Sequence, residues 1–391
     1  MSSIPSNTTG KTPTRATRRR TGIVIDPRCA NHCMEADAPE CPARLDVLQA
    51  MLREPGMRGR FVEVAAQPAD RQTLEQVHAP AYIRRLEATS GQSCVHFDKD
   101  TSTSPGSHEA ALLAAGGLCQ AIARVQNRTL DNAFALVRPP GHHAERAKAK
   151  GFCLYNNVAV GARFAQRELA MKRILIVDWD LHHGNGTQHC FADDPSVLYF
   201  STHEAFAYPY SGRLRDVGSG PGRGYTLNTP LPPGCGDGEF LAILDRVLRP
   251  VALEFGPDLV LVSAGFDIHV DDPLGGMRVT PEGFAGMTRV LMEIADDCCQ
   301  GRLVMTLEGG YDLNALGESV RRVLQEMAGL RATGTGPLIA SADPRLLVYP
   351  LWRIQRVHGR YWAALADLGI HLSPVARLKE TLAWWGTYLR S

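Results

Sequence analysis

The stretch Ile174-Leu-Ile-Val-Asp-Trp-Asp-Leu-His-His-Gly-Asn-Gly186 decides how the rest of the chain is read. Its first five residues, Ile174–Asp178, are β-rich and almost unbroken in apolar character. That is how a strand buried on both faces reads, as in a parallel sheet covered by helices. At Asp178 the character changes at once to carboxylates, imidazoles and glycine. The same strand-like texture recurs at Gly22–Asp26, Ala133–Arg138, Val197–Ser201, Leu259–Ser263 and Leu303–Leu307.

The segments between these runs fit helices. In the clearest, Thr280 can cap, Pro281 suits the first helical position, and Glu282 favours the positive end of the helix. Phe284, Met287, Leu291 and Ile294 follow at spacings of three and four, and Gly301 lies beyond the end. Alternating strands and helices predict one α/β domain, a three-layer α/β/α arrangement around a mainly parallel sheet. Leu231–Gly238 and Thr333–Pro337 read as loops, and Trp352, Trp362, Trp384 and Trp385 as packing for a terminal helical layer.

Composition narrows the function. Among 391 residues, 42 basic side chains nearly balance 41 acidic ones, which argues against a globally basic nucleic-acid binder. No apolar run is long enough to span a bilayer, so no membrane is expected. Residues 1–20 carry Lys11, Arg15, Arg18, Arg19 and Arg20 and no acids, and read as a disordered basic tail ahead of a catalytic domain over residues 21–391. The tail lacks the apolar residues of a secretory or amphipathic targeting segment. Without it, the body holds 37 basic against 41 acidic residues and is mildly acidic. Ten cysteines in a long chain of this kind predict reduced thiols and a cytoplasmic protein. Cys29, His32, Cys33, Cys41 and Cys94 can be read as a structural zinc cluster or as loop thiols; they lack paired C-x2-C spacing, and the second reading is preferred.

Six of the thirteen histidines fall between His142 and His203. They sit among polar groups that directly follow the strands: Pro139–His143, Trp179–Gly186, Thr202-His203, Ala264–Asp267 and Glu308–Tyr311. In a parallel α/β sheet, ligands bind outside the carboxyl ends of the strands, so these groups can meet in one crevice. Asp180, His182 and Asp267 then supply three ligands with an open fourth position, the catalytic zinc pattern. His142 and His143 suit general acid–base work near neutral pH, while Asp178 and Asn185 can hold their far ring nitrogens. The Tyr311 hydroxyl suits a developing oxyanion. Alone, an Asp-x-His or a His-His pair is more often structural. Convergence of five strand ends is what favours a metal-assisted amide hydrolase.

The motifs Arg138–Ala144 (RPPGHHA), Gly151–Asn157 (GFCLYNN), Val177–Thr187 (VDWDLHHGNGT), Ser263–Met277 (SAGFDIHVDDPLGGM) and Leu307–Leu313 (LEGGYDL) resemble those of the zinc-dependent histone deacetylases. They are similar also to the bacterial amidohydrolase and acetylpolyamine amidohydrolase relatives of that family, in the arginase–deacetylase fold. Pro39–Leu45 (PECPARL) is similar to the family's early loop. The resemblance implies Asp180, His182 and Asp267 as zinc ligands, His143 as general base and acid, and His142 as an electrostatic partner oriented by Asp178. It implies Asn185 behind His143 in the class II manner and Tyr311 polarising the acyl carbonyl. It puts Gly151 and Phe152 on one wall of an acyl-lysine tunnel, with Tyr208 opposite where relatives carry phenylalanine.

By the same resemblance, one or two potassium ions are expected. Asp178, Asp180, His182, Ser201 and Thr202 would line the inner site, and Phe191, Asp194 and Val197 the outer. Leu274 stands where polyamine deacetylases bear an acidic gatekeeper, which weighs toward acetyl-lysine in a peptide or protein. Glu40 is read as a solvated loop acid, though near a mouth it could greet a polyamine. Asp98 and Asp100 are expected at the rim. An acetylpolyamine deacetylase and a non-catalytic acyl-binding scaffold stay open as alternatives, and so does a homo-oligomer. An arginase-like dinuclear site would need a second acidic ligand set, which the sequence does not present.

Overall fold

A computed structural model describes residues 18–35, 37–377 and 379. Its strands are β1 (Thr21–Val24), β2 (Val62–Glu63), β3 (Val95–His96), β4 (Ser102–Thr103), β5 (Asn132–Ala135), β6 (Ile174–Asp178), β7 (Val197–Glu204), β8 (Thr226–Leu231), β9 (Leu259–Ala264) and β10 (Leu303–Leu307). Eight of them form one sheet in the order β2-β1-β5-β10-β9-β6-β7-β8, with each neighbouring pair parallel. The antiparallel pair β3–β4 lies outside it.

The period of two sorts side chains between two cores. Ile174 and Ile176 of β6 join Leu259 and Leu261 of β9 in a layer shared with the helices Ser107–Gln126 and Asn157–Glu168. Leu175 and Val177 join Val260 and Val262 on the opposite face, under the helices Pro281–Cys299 and Leu313–Met327. Both sheet faces are therefore covered, which gives the expected α/β/α layering.

The helix Pro281–Cys299 forms as its sequence dictates. Thr280 Oγ1 accepts from Gly283 N, and Phe284, Met287, Leu291 and Ile294 are fully buried. Burying one such side chain is worth about 2 kcal/mol. Left-handed residues at Gln300 and Gly301 end the helix.

β6 and β10 match the sequence reading, and β7 and β9 run further, to Glu204 and Ala264. β1 ends two residues early, at Val24, and β5 ends at Ala135; Leu136 N still donates to Val24 O at 2.8 Å, and the chain then runs on toward His142. β8 is not among the apolar runs of the sequence, because its Thr, Asn and Pro interrupt the apolar pattern, and its last residue, Leu231, falls in the expected Leu231–Gly238 loop. The Thr333–Pro337 loop is corrected: a short helix, Thr335–Ala340, begins inside it, and the Leu231–Gly238 loop gives way to a helix at Asp237.

The tail boundary also moves. Arg19 N donates to Ala328 O at 3.1 Å and its guanidinium meets Asp296 at 2.6 Å, while Arg20 N donates to Asp131 at 2.7 Å. These residues belong to the folded body; residues 1–17 lie outside the described residues, as do Trp384 and Trp385. Trp352 stacks on Tyr349 at 5.9 Å and Trp362 Nε1 donates to Gly224 O at 2.9 Å, so both pack a C-terminal layer. Among the described residues, no helix is long and apolar enough to cross a membrane.

Candidate active site

β6 and β9 are neighbours, with Asp178 in register with Ser263. Chain leaving their carboxyl ends therefore places Asp180, His182 and Asp267 together. One ligand atom from each lies within 4.8 Å of the others, and among the described residues no other group of three or more His, Cys, Asp or Glu does so. His182 Nδ1 stands 3.2 Å from Asp180 Oδ1 and 3.1 Å from Asp267 Oδ2. The other oxygens are held by backbone, Asp180 Oδ2 by Gly309 N at 2.8 Å and Asp267 Oδ1 by Leu181 N at 2.9 Å. A Cβ at Gly265 or Gly309 would collide with these carboxylates, so the backbone comes as close as glycine permits.

Two buried carboxylates facing one imidazole are costly unless a cation or protons share their charge. Burial, reinforced by Asp180, pushes the Asp267 carboxyl up, and His182 is driven up despite burial by Asp180 and Asp267. The inner atoms Asp180 Oδ1, Asp267 Oδ2 and His182 Nδ1 make a mixed oxygen–nitrogen donor set that fits a divalent transition metal with a fourth position to spare.

The tandem histidines lie beside this set, their ring centroids 4.0 Å apart. His142 Nδ1 meets Asp178 Oδ2 at 3.1 Å, and Tyr199 donates to the same oxygen at 3.0 Å. Burial would lower the His142 pKa, but Asp180 and Asp178 outweigh it and hold it at about 10. His143 Nδ1 meets Asn185 Oδ1 at 2.8 Å, and burial together with His142 and His182 drives its pKa well down. These surroundings favour a neutral His143 able to accept a proton and a protonated His142.

Only half of the histidine cluster faces the centre. His183 bonds Ser211 at 2.8 Å and Gln188 at 2.9 Å, and His203 bonds Ser201 and Gly212 O, both at 2.9 Å. His189 sits at the surface against Glu145.

The remaining predicted residues gather around the same point. Tyr208 stands edge-on to His143 at 5.1 Å and to His182 at 6.1 Å. Gly151, at φ +55°, presses its backbone against the His143 and Tyr208 rings. Phe152 lies 6.0 Å from the Tyr311 ring. Burial pushes the Tyr311 phenol well above its usual range and Asp267 adds to this, so the hydroxyl stays neutral. Burial also raises the Tyr208 pKa, and the Asp98 and Asp100 carboxylates contribute, which sets both acids near that wall. Leu274 is 43 % exposed, two residues after Asp272.

In the proposed inner potassium set, Ser201 is in register with Asp178, and the neighbouring Thr202 hydroxyl is buried without a hydrogen-bond partner among the described residues. In the outer set, Asp194 N donates to Phe191 O at 3.1 Å, Val197 N donates to Asp194 O at 3.4 Å, and Arg163 pairs with the Asp194 carboxylate at 2.6 Å.

Glu40 is corrected outright. It is not a solvated acid and it cannot greet a polyamine, because it is fully buried. Arg138 grips it at 2.5 and 2.7 Å and Arg44 at 3.0 Å. Burial would raise its pKa, but Arg138, with His32 and Arg44, holds the carboxyl at about 2. His32 lies 3.5 Å away without forming an ion pair, since burial keeps the imidazole neutral with a pKa of about 4. Arg44 goes on to Gly310 O at 2.7 Å and Glu308 O at 2.5 Å, so this hub fixes the segment carrying Tyr311.

Three further supports escaped the sequence reading. Glu308, fully buried, accepts from Gly141 N at 2.6 Å and His142 N at 3.1 Å; burial raises its pKa to about 7. Asp272 accepts from Tyr311 N at 2.7 Å. Glu145 accepts from Asn185 Nδ2 at 2.5 Å. The cysteine–histidine cluster does not assemble: Cys29 is buried against Ala110 O, Cys33 is exposed, His32 bonds Ser107, and all ten cysteines are free.

Comparisons with known proteins agree with this geometry. The histone deacetylase domain matches residues 38–327. The chain is 40% identical over 375 residues to histone deacetylase 5 of Arabidopsis thaliana, covering 90% of this chain and 55% of that one. It is 38% identical over 361 residues to the "Probable deacetylase" of Archaeoglobus fulgidus, covering 88% and 98%. It is 42% identical over 315 residues to the human polyamine deacetylase HDAC10, covering 75% and 46%. It thus spans about half the length of the plant and human relatives and nearly all of the archaeal one. The solved HDA15 HD domain superposes with a TM-score of 0.81 at 37% identity, covering 89% of this chain and 96% of that one.

Proposed function

The chain belongs to the histone deacetylase family, and from that premise we propose that it hydrolyses the amide of an ε-acylated lysine in a peptide or protein, with zinc as the metal. The observation that carries the reading is the convergence of Asp180, His182 and Asp267 beside the tandem histidines. A zinc ion held by those three side chains would polarise the acyl carbonyl and acidify adjacent water.

The chain's own groups supply the rest. Phe152 and Tyr208 flank the lysine stem, whose methylenes are well buried by aromatic faces. Neutral His143 takes the proton of the attacking water at Nε2 and returns it to the departing lysine nitrogen. His142, charged beside Asp178, stabilises the negative charge that builds, and the Tyr311 hydroxyl donates to the carbonyl oxygen. Potassium at the inner set, and a second ion at the outer, would brace the loop after β6; the unpartnered Thr202 hydroxyl supports the inner one. Ten free thiols support work in a reducing compartment, the cytoplasm.

The acetylpolyamine reading keeps one support, the similarity to a relative named a polyamine deacetylase. It loses the Glu40 carboxylate to the buried hub, and Leu274 offers an exposed apolar side chain at the gatekeeper position. The test is kcat/KM of zinc-loaded protein on acetyl-lysine peptides against acetylspermidine, with chelator and hydroxamate controls. Faster turnover of peptides, abolished by chelation, is expected. A preference for the polyamine transfers the assignment to the second reading, and inertness toward both overturns hydrolysis.

A further inference from the structure

An asparagine amide has two ends of nearly equal shape, one an acceptor and one a donor. Asn185, only 2 % exposed, stands with Oδ1 toward His143 Nδ1 at 2.8 Å and Nδ2 toward Glu145 Oε1 at 2.5 Å. Nδ2 also lies 3.4 Å from His143 O. Turned the other way, the amide would present its oxygen to a carboxylate and its NH2 to His143 Nδ1. That would leave two acceptors facing each other in a buried place and would force the His143 proton onto Nε2, the atom that must be free to take a proton from water.

Glu145 is itself held firmly. Its N–H donates to Lys148 O at 2.9 Å, and its carbonyl accepts from His78 Nδ1 at 3.0 Å. Its carboxylate is closed on the outer side by His189 Nδ1, at 2.9 and 3.0 Å from the two oxygens.

We infer that Glu145 is a positioning residue for the hydrolysis: as an acceptor-only group it sets the orientation of the Asn185 amide, and through that amide it fixes His143 as the Nδ1–H tautomer. The catalytic half of this inference rests on the proposed function; the tautomer half does not. An aspartate at position 185 would need no such partner, because its two oxygens are equivalent. It would moreover be repelled by Glu145. The inference therefore makes the two positions interdependent in a way that a purely structural role for Glu145 does not.

The experiment compares the wild-type chain with Glu145→Ala, Asn185→Asp and the double variant. It uses nitrogen-15 histidine spectra of the metal-free full chain, with His143→Gln to assign the resonance, and steady-state kinetics of the zinc-loaded enzyme. The His143 ring is expected as the Nδ1–H form in the wild type and as a tautomer mixture in Glu145→Ala. For Glu145→Ala, kcat should fall by about tenfold or more with KM within about twofold, the scale of losing a group that orients a functional imidazole. The double variant should regain the single tautomer and most of the lost kcat. Glu145→Gln keeps the size of the side chain but adds an NH2 that can face Asn185 Oδ1, so it should also give a tautomer mixture, and it serves if Glu145→Ala does not fold. An unchanged His143 tautomer in Glu145→Ala, or a double variant as impaired as Glu145→Ala, overturns the inference. If the wild type turns over no acylated substrate, the proposed function fails, and the spectra still decide the tautomer.

Discussion

His142 and His143 are adjacent in sequence and nearly in contact, yet they are backed by opposite kinds of group. Behind His142 stand Asp178 and Tyr199, both fully buried. Behind His143 stand Asn185, Glu145 and then His189, a row that ends at a side chain 55 % exposed. A carboxylate in direct contact can hold an imidazolium, whereas a neutral amide can only choose which nitrogen carries the proton. One histidine is thereby favoured as a charge and the other as a vacant base. The lesson is that roles within a symmetric-looking motif are assigned by what stands one layer further out.

The largest test of this asymmetry is His143→Gln against His142→Gln. Loss of the base is expected to cut kcat by roughly three orders of magnitude, whereas loss of the charged neighbour costs about one to two. Equal losses in single-turnover assays would dissolve the distinction. Next in size is Glu40→Gln, at the hub that grips Arg138 and, through Arg44, the segment carrying Tyr311. Removing one partner of a buried ion cluster costs about 3–5 kcal/mol, measurable by denaturant unfolding at neutral pH. Because the Glu40 pKa is depressed to about 2 from an ordinary 4.5, its contribution is present above 4.5 and is lost as pH falls toward 2. Wild-type stability should therefore decline across that acid range more steeply than that of Glu40→Gln.

Asp178→Asn ranks third. It converts the His142 arm into an amide-backed one and is expected to lower kcat about a hundredfold with the fold retained, by analogy with other carboxylate-to-amide changes behind imidazoles. Normal activity would show that His142 need not be charged. The smallest effect belongs to His189→Gln. The His189 pKa is raised, chiefly by its hydrogen bond to Glu145, so the pair stabilises the fold below the ordinary 6.5 and fades as pH climbs beyond the raised value. Being half exposed, the pair is worth a few tenths of a kcal/mol, seen as a gap between wild-type and variant melting curves at pH 6 that closes at alkaline pH.

The parts that announced themselves in the sequence share one physical cause. β6, β9 and β10 are covered on both sides, so they can only be continuous apolar runs, and polar residues at their ends stand out. The candidate metal ligands Asp180, His182 and Asp267 and the tandem histidines are legible because they sit at those ends. Glu40 was misread because its partners lie four residues and 98 residues away, and nothing local distinguishes a gripped carboxylate from a solvated one. Asp272, Glu145 and Glu308 act on backbone or amide groups of other segments, contacts that exist only after folding. β8 hid because Thr226, Asn228, Thr229 and Pro230 interrupt its apolar pattern, Asn228 serving a hydrogen bond to Gln188.

The position of β10 has a consequence for how the protein is made. It is the last of the described strands in the chain, yet it lies in the interior of the sheet, between β5 and β9. The two carbonyls that anchor Arg44 and the Gly309 N–H that holds Asp180 come from the residues just after it. During synthesis, the earlier strands must therefore emerge and wait with a gap between them. Contacts spanning more than 260 residues close at the end. The backbone donor that holds Asp180 is then supplied late in the life of each molecule, once the strand that fills the sheet has been threaded.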